Sequence, residues 1–341
     1  MKSAIIIIII IFIFSYLGFS SDTRNYDFNF KYGVLIKKID PNFKEGTFYA
    51  EFYWWTTFNN DSSITGYNNS DIMNLQYVNG YKTPIDAVTS EIQESRQIGD
   101  NKYYYTGYHQ GFFYFNPDFS NYPFDKQNLF IEIEHTLLLE NEITILPDIE
   151  SFKFSKMPQD LYGVSTDLLK NTTTSMIIYK SDINSGNCVY NSNFGDPDFP
   201  AESKYSRLTY GIYLERNVMP YVAKFFIPLG IILFLVYFVF FIPAEKLDMA
   251  AGLTVTSLLS AIAFQFTMNG DLPEIGYMIY VDKVFYLAYV LIVLAMGESL
   301  LTFYLDLSEN VKKKQFAFKL DFYSRFLFPL IFLAFSYFFK E

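Results

Sequence analysis

The chain has one cysteine, Cys188, and two histidines, His109 and His135. A single thiol excludes an intrachain disulfide, so an exported domain of this chain must hold together through its core. Neither histidine stands near Cys188 in the sequence at metal-ligand spacing. The chain also lacks a Gly-x-Ser-x-Gly elbow, a His-Glu-x-x-His pair and a glycine-rich phosphate loop, so no enzyme class is indicated. Basic charge is scarce: the net charge is −10, and residues 22–215 hold 26 acidic against 15 basic side chains. That balance argues against nucleic acid and against docking onto anionic lipid, and it concentrates cations around the acidic region.

What the chain has in quantity is apolar and aromatic residues, 51% and 20% of its 341 positions, enough for about two domains. They gather at the two ends. Lys2, the run from Ile5 to Phe14 and the small residues of Gly18-Phe19-Ser20 predict a cleaved signal peptide over 1–20. The polar middle, 21–216, reads as β-structure. Leu129, Ile131 and Ile133 alternate with Phe130, Glu132 and Glu134, and Leu208, Tyr210, Ile212 and Leu214 repeat the period. Further strands are expected near 47–56, 103–115, 142–146 and 173–180. Short strands broken by Asn, Asp, Gly and Pro predict a sandwich of immunoglobulin-like type, with no sizeable helix before residue 216.

Residues 217–341 predict an all-α membrane domain with four helices at about 220–242, 247–268, 277–305 and 322–339, each near the roughly 20 residues that a span requires. Lys312, Lys313, Lys314, Lys319 and Arg325 mark the third linker as cytoplasmic. The N-terminal domain is then extracellular, or periplasmic if the membrane is a bacterial inner membrane. The second span is unusually polar, with Thr254, Thr256, Ser257, Ser260, Gln265 and Thr267. Within it Asp248, Gly252, Thr256, Leu259, Ala263 and Phe266 recur at steps of four and three, which puts them on one helix face. Polar groups at that depth face a partner helix or a water-filled path.

One segment carries a resemblance. Tyr122-Pro123-Phe124-Asp125-Lys126-Gln127 resembles the signature loop of the pentameric ligand-gated ion channels, the Cys-loop receptor superfamily. The cysteines that bracket this loop in animal members are missing, as in the prokaryotic-type branch. Arg216 before the first span, Pro228 within it, and Ile262-Ala263-Phe264 followed by Leu272-Pro273 and Tyr277-Met278 also resemble that family.

The resemblance implies one subunit of a homopentamer in the plasma membrane, whose partners are four further copies, the bilayer, a small ligand and permeant monovalent cations. The implied pore-lining residues are the six on the shared face. Asp248 and Glu245 would select cations at the inner mouth, and Leu259 and Phe266 would gate. Tyr122, Pro123, Phe124, Asp125, Arg216, Leu272 and Pro273 would couple the domains, with Asp125 paired to Arg216 and Phe124 pressing on Leu272-Pro273. The agonist would sit between subunits under a hairpin at about 181–204, with Tyr190, Phe194, Phe199 and Tyr205 on one side and Tyr53, Trp54 and Trp55 on the opposing wall. No cofactor is implied. Ala261 stands at the pore position where some proton-gated relatives carry histidine, which leaves Glu132, Glu134 and Asp148 as groups for proton or calcium modulation. A non-conducting pentameric membrane receptor of the same fold is the alternative.

Overall fold

A computed structural model describes residues 28–81, 89–154, 161–165, 168, 176–197, 199–269, 273 and 275–338. The expected signal peptide and Leu272 lie outside them. Among the described residues ten strands precede the long helices: β1 (Phe28–Asn42), β2 (Thr47–Asn59), β3 (Leu75–Tyr77), β4 (Gly80–Tyr81), β5 (Thr89–Gly99), β6 (Lys102–Tyr114), β7 (Lys126–His135), β8 (Ile143–Pro147), β9 (Met176–Tyr190) and β10 (Ser203–Arg216). Helix in this half is limited, among the described residues, to short turns such as Ser62–Thr65 and Asn69–Ile72.

The strands make two sheets. One runs β4-β6-β2-β1-β8, with β5 also paired to β6, and the other runs β3-β7-β10-β9. The alternation read from the sequence sets their register. Leu129, Ile131 and Ile133 of β7 lie opposite Ile212, Tyr210 and Leu208 of β10, and all six are fully buried. Phe48, Ala50, Phe52, Trp54 and Phe58 of β2 turn the same way, as do Phe28, Phe30, Tyr32, Val34 and Ile36 of β1. Both sheets thus face one core. Each fully buried Ile, Leu or Phe there contributes about 1.5–3 kcal/mol.

Four long helical segments follow. α1 (Val218–Phe241) contains a π turn at Val222–Phe226 and ends in a 3-10 turn at Phe238–Phe241. The π turn lies immediately before Pro228, whose missing N–H breaks the regular ladder there. Then come α2 (Leu247–Asn269), α3 (Tyr280–Asp306) and α4 (Val311–Phe338). Among the described residues three segments, Val218–Phe241, Ala244–Met268 and Tyr280–Asp306, are long and apolar enough to cross a membrane. α4 starts well before the expected fourth span. The stretch from its start to Arg325 carries Lys312, Lys313, Lys314, Lys319, Asp321 and Arg325, which shortens its apolar run.

His109 points into the sandwich from β6 and is 1% exposed, with ring centroids 4.9 Å from Phe52 and 4.2 Å from Tyr77. Burial pushes its pKa down to about 4. The unfolded chain takes up that proton near pH 6.5. The fold therefore keeps its full stability above about pH 6.5 and loses roughly 3 kcal/mol as pH falls towards 4. His109→Phe should flatten this decline in the thermal midpoint of the detergent-solubilised protein. The same decline in the variant would remove His109 as its source.

Candidate functional site

α2 has two faces. Ala250, Thr254, Ser257, Ala261 and Met268 are buried against the rest of the chain. Thr254 Oγ1 donates towards Ala250 O at 3.0 Å and lies 3.3 Å from Met296 Sδ of α3. The opposite face is bare. Asp248, Gly252, Thr256, Leu259, Ala263 and Phe266 are all exposed, Leu259 by 62% and Phe266 by 75%. Ser260 and Thr267, on the same side, bond back to the carbonyls of Thr256 and Ala263 at 2.8 and 3.0 Å, which satisfies their hydroxyls within the helix. Asp248 sits in the first turn of α2, where the helix dipole favours a carboxylate, and Glu245 lies in the exposed turn Ala244–Lys246 just before it. Ala261 departs from the sequence expectation. It is fully buried, its carbonyl receives a bond from the Tyr289 hydroxyl at 3.3 Å, and it is not on the bare face.

The β-domain meets the helices at the loop 115–125. Asp125 and Arg216 are joined there by two bonds, Nε to Oδ1 at 2.6 Å and an Nη to Oδ2 at 2.8 Å, with side chains 1% and 6% exposed. The geometry is a bidentate fork. Three rings surround the guanidinium: Tyr122, Tyr221 and Phe43, at 4.9, 5.1 and 5.7 Å. Burial alone would lower the Arg216 pKa, but the bond and charge of Asp125, with Tyr221, hold it above its ordinary value. Gln127 finishes the carboxylate's shell. Its amide donates to Asp125 Oδ2 and to Asp118 O, each at 2.7 Å, and its carbonyl accepts from Asp118 N at 3.0 Å.

The same loop grips the connection between α2 and α3. Phe119 N donates to the Tyr277 hydroxyl at 2.8 Å, and Tyr280 N donates to Ser120 O at 2.9 Å. The Tyr280 hydroxyl in turn donates to Ser336 O of α4 at 2.9 Å. Tyr122 and Pro123 are joined by a cis peptide, and Tyr122 packs on Tyr221 and Phe225. Phe124 meets Tyr280 edge-on at 5.5 Å and lies 6.4 Å from Phe226, which sets it against α1 and α3. Pro273 is half-buried. The sequence assigns no role to Tyr221, Tyr277 or Tyr280, although Tyr277 stands in the segment that carries the resemblance. Gln127 was quoted in the signature but given no role.

Of the seven residues expected at the ligand site, four come together. Tyr190 lies 5.9 Å from Phe194 and 5.6 Å from Tyr205, and Phe194 lies 6.0 Å from Phe199. The expected hairpin is present: residues 181–190 pair antiparallel with β10, with Tyr190 opposite Ser203, and the turn lies between them. Beneath it Arg207 binds Glu134 at 2.6 Å, Glu132 at 3.2 Å and the Tyr190 hydroxyl at 3.0 Å. Burial, then the bond to Glu134, pushes Tyr190 up to about 12. Trp54 requires a correction. Neighbouring strand residues face opposite ways, so Trp54 stacks on Tyr32 in the core, 4% exposed, and cannot form an outer wall. Trp55 does face outward, donating to Asp148 Oδ2 at 2.7 Å, and Tyr53 is 39% exposed. Asp148 also accepts from Ser151. Among the described residues no cluster of His, Cys, Asp or Glu is arranged to hold a metal ion. His135 serves locally: Nδ1 accepts from the N–H groups of Leu137 and Leu138, so Nε2 donates to Asp71 O.

No protein-family model matches the chain. Over 216 residues it is 25% identical to a proton-gated ion channel of Gloeobacter violaceus, an alignment covering 63% of this chain. The match spans about half of that channel's length, 53%. The chain is therefore a distant homologue of that protein, and a β-domain followed by membrane-length helices is consistent with a subunit of the pentameric ligand-gated type.

Removing one member of a buried ion pair leaves the other charge stranded, at about 3–5 kcal/mol. Asp125→Ala should lower the stability of the purified protein by about that amount, read as a drop in thermal midpoint. Exchanging the two residues, Asp125→Arg with Arg216→Asp, should recover part of the loss. An Asp125→Ala protein as stable as the parent would show that the pair does not hold the junction.

Proposed function

We propose that the chain is one subunit of a homopentameric, cation-selective, ligand-gated ion channel, with α2 lining the pore. The bare stripe from Asp248 to Phe266 carries this reading. A helix buried on one side and uncovered on the other, with large apolar side chains on the uncovered side, calls for further copies or a conduit against it. The homologous proton-gated channel supports the same reading.

Five copies of the stripe make rings. Asp248, seconded by Glu245, forms an acidic inner mouth that attracts cations and repels anions. The net negative β-domain outside biases ions the same way. Leu259 and Phe266 form apolar rings that close the conduit by expelling water. α4 serves as the fourth span, with its lysines on the cytoplasmic side and the β-domain extracellular or periplasmic. Ligand-driven movement of the β-domain passes through Tyr122, Pro123, Phe124, Asp125 and Arg216 to the loop bearing Leu272 and Pro273, and from there to α2. The agonist site lies under the hairpin with Tyr190, Phe194, Phe199 and Tyr205, faced by Trp55 of a neighbouring copy. Protons are the trigger suggested by the relative's name, with calcium and small amines as the other candidates.

Voltage-clamp recording of the protein expressed alone, with pH, calcium and small amines stepped in turn, tests this. The expected result is a current whose reversal follows the sodium or potassium gradient. Asp248→Asn should weaken the cation preference, and Leu259→Ser should leak without a trigger. A surface-delivered protein that stays silent, with a Leu259→Ser variant equally silent, would refute the channel and leave a non-conducting receptor.

A further inference from the structure

The hydroxyls of α2 turn back on their own helix: Thr254, Ser260 and Thr267 donate to the carbonyls of Ala250, Thr256 and Ala263. Gln265 does the opposite. Its amide leaves α2 and meets two polar side chains of α3. Nε2 donates to Asp282 Oδ1 at 2.9 Å, and Oε1 accepts from the Tyr289 hydroxyl at 2.6 Å.

The sequence of α3 makes this meeting possible. Positions 282 and 289 are seven apart, about two turns, so both side chains stand on one face. Asp282 is the third residue of α3, and its Oδ2 accepts from Ile279 N at 3.4 Å, which caps the helix. The carboxylate is thus pinned by its own helix before Gln265 reaches it. The Tyr289 hydroxyl also lies 3.3 Å from Ala261 O, one turn earlier in α2. Phe264 of α2 packs on Phe285 of α3 at 5.7 Å, and Phe285 is buried.

Both ends of the amide are committed, each to a partner of the right kind. A carboxylate only accepts, and the phenol has a proton to give. Gln265 also stands at the border between the two faces of α2. Phe266, the next residue, is on the bare side, whereas Met268 is buried against the rest of the chain. Turning α2 about its axis far enough to shift Phe266 would pull Nε2 away from Asp282. The carboxylate would then keep only the N–H of Ile279.

We propose that Gln265 is a positioning residue: its amide fastens the C-terminal half of α2 to α3 and so fixes where the Phe266 ring stands. Its bearing on gating rests on α2 being the pore helix, as proposed above. The latch itself does not.

The full-length protein carrying Cys188→Ser and Met268→Cys has a single thiol, on the buried face just beyond Gln265. Reconstituted in liposomes, this reporter is labelled with a charged, water-soluble maleimide. The labelling rate then reports how often the end of α2 lifts from α3. Gln265→Leu should raise the rate about tenfold, as for a lost hydrogen bond to a charged group. Gln265→Glu tests the chemistry. The titratable groups touching position 265 are Asp282 and Tyr289, and two carboxylates bond only while a proton lies between them. Expressed as a ratio to the reporter at the same pH, labelling of Gln265→Glu should be slow in acid and about tenfold faster in alkali. Adding Asp282→Asn restores one amide facing one carboxylate, and should return the ratio to that of the reporter at every pH. Packing alone would produce neither the pH dependence nor this rescue. A Gln265→Leu protein labelled as slowly as the reporter, or a Gln265→Glu ratio unmoved by pH, would overturn the proposal. The Gln265→Glu series decides the matter even where Gln265→Leu fails to assemble. Labelling needs no current, so a silent channel with a pH-dependent ratio would count against the pore reading and leave the latch standing.

Discussion

The bidentate pair of Asp125 and Arg216 is the constraint on which the arrangement of the two halves depends. Arg216 is the last residue of β10, and α1 begins two residues later. Asp125 ends the loop that reaches the other helices. One guanidinium thus fixes where the sandwich stops and the helical half starts. Its charge is out of water and tolerable there only because a carboxylate, a tyrosine hydroxyl and three aromatic faces replace the lost hydration. Gln127 does the same for the carboxylate. The polar residues of the signature segment serve this one pair, and its aromatic residues fill the space around it.

From this junction outward the two halves follow different rules. The sandwich is held by period-two burial on both sheets, which leaves its hydrophobic side chains little surface to offer. The helical half keeps a great deal of apolar surface uncovered, on α2 and on the outer sides of α3 and α4. α2 shows the difference within one element, with Ala250, Thr254, Ser257 and Ala261 buried and Leu259 and Phe266 bare. Alanine, serine and threonine let α2 lie close to α3, while leucine and phenylalanine occupy the side without a neighbour.

The sequence announced the strands whose two sides differ. β7 and β10 alternate cleanly, and their register follows. β5 was unreadable because Glu91 to Gly99 are all exposed, and such a strand carries no apolar period. β1 does alternate from Phe28 to Ile36 and was overlooked, its pattern blurred by Leu35 on the other face. The early start of α4 was hidden by its charges, which disguise a helix when only apolar runs are counted. At the junction, Asp125 and Arg216 stand 91 positions apart, and only the resemblance of the surrounding motif linked them. Adjacent tryptophans on one strand cannot both face outward, and the period of β2 sends Trp54 to the core and Trp55 to the surface. The bond from Gln265 to Asp282 leaves no trace in composition, because it depends on how α2 and α3 are laid together.

Tyr280 has both of its hydrogen-bonding ends committed, its backbone nitrogen to Ser120 in the loop and its hydroxyl to Ser336 near the end of α4. The side chain is 5% exposed, so it has little room to swing between partners. It works like a short rigid spacer between two cables. If the end of α4 slides along its axis, slack cannot be taken up locally, and either one bond opens or the loop follows. The least apolar of the four helices is in this way wired to the segment that carries the ion pair, and tension at the end of α4 is readable five residues away from Asp125.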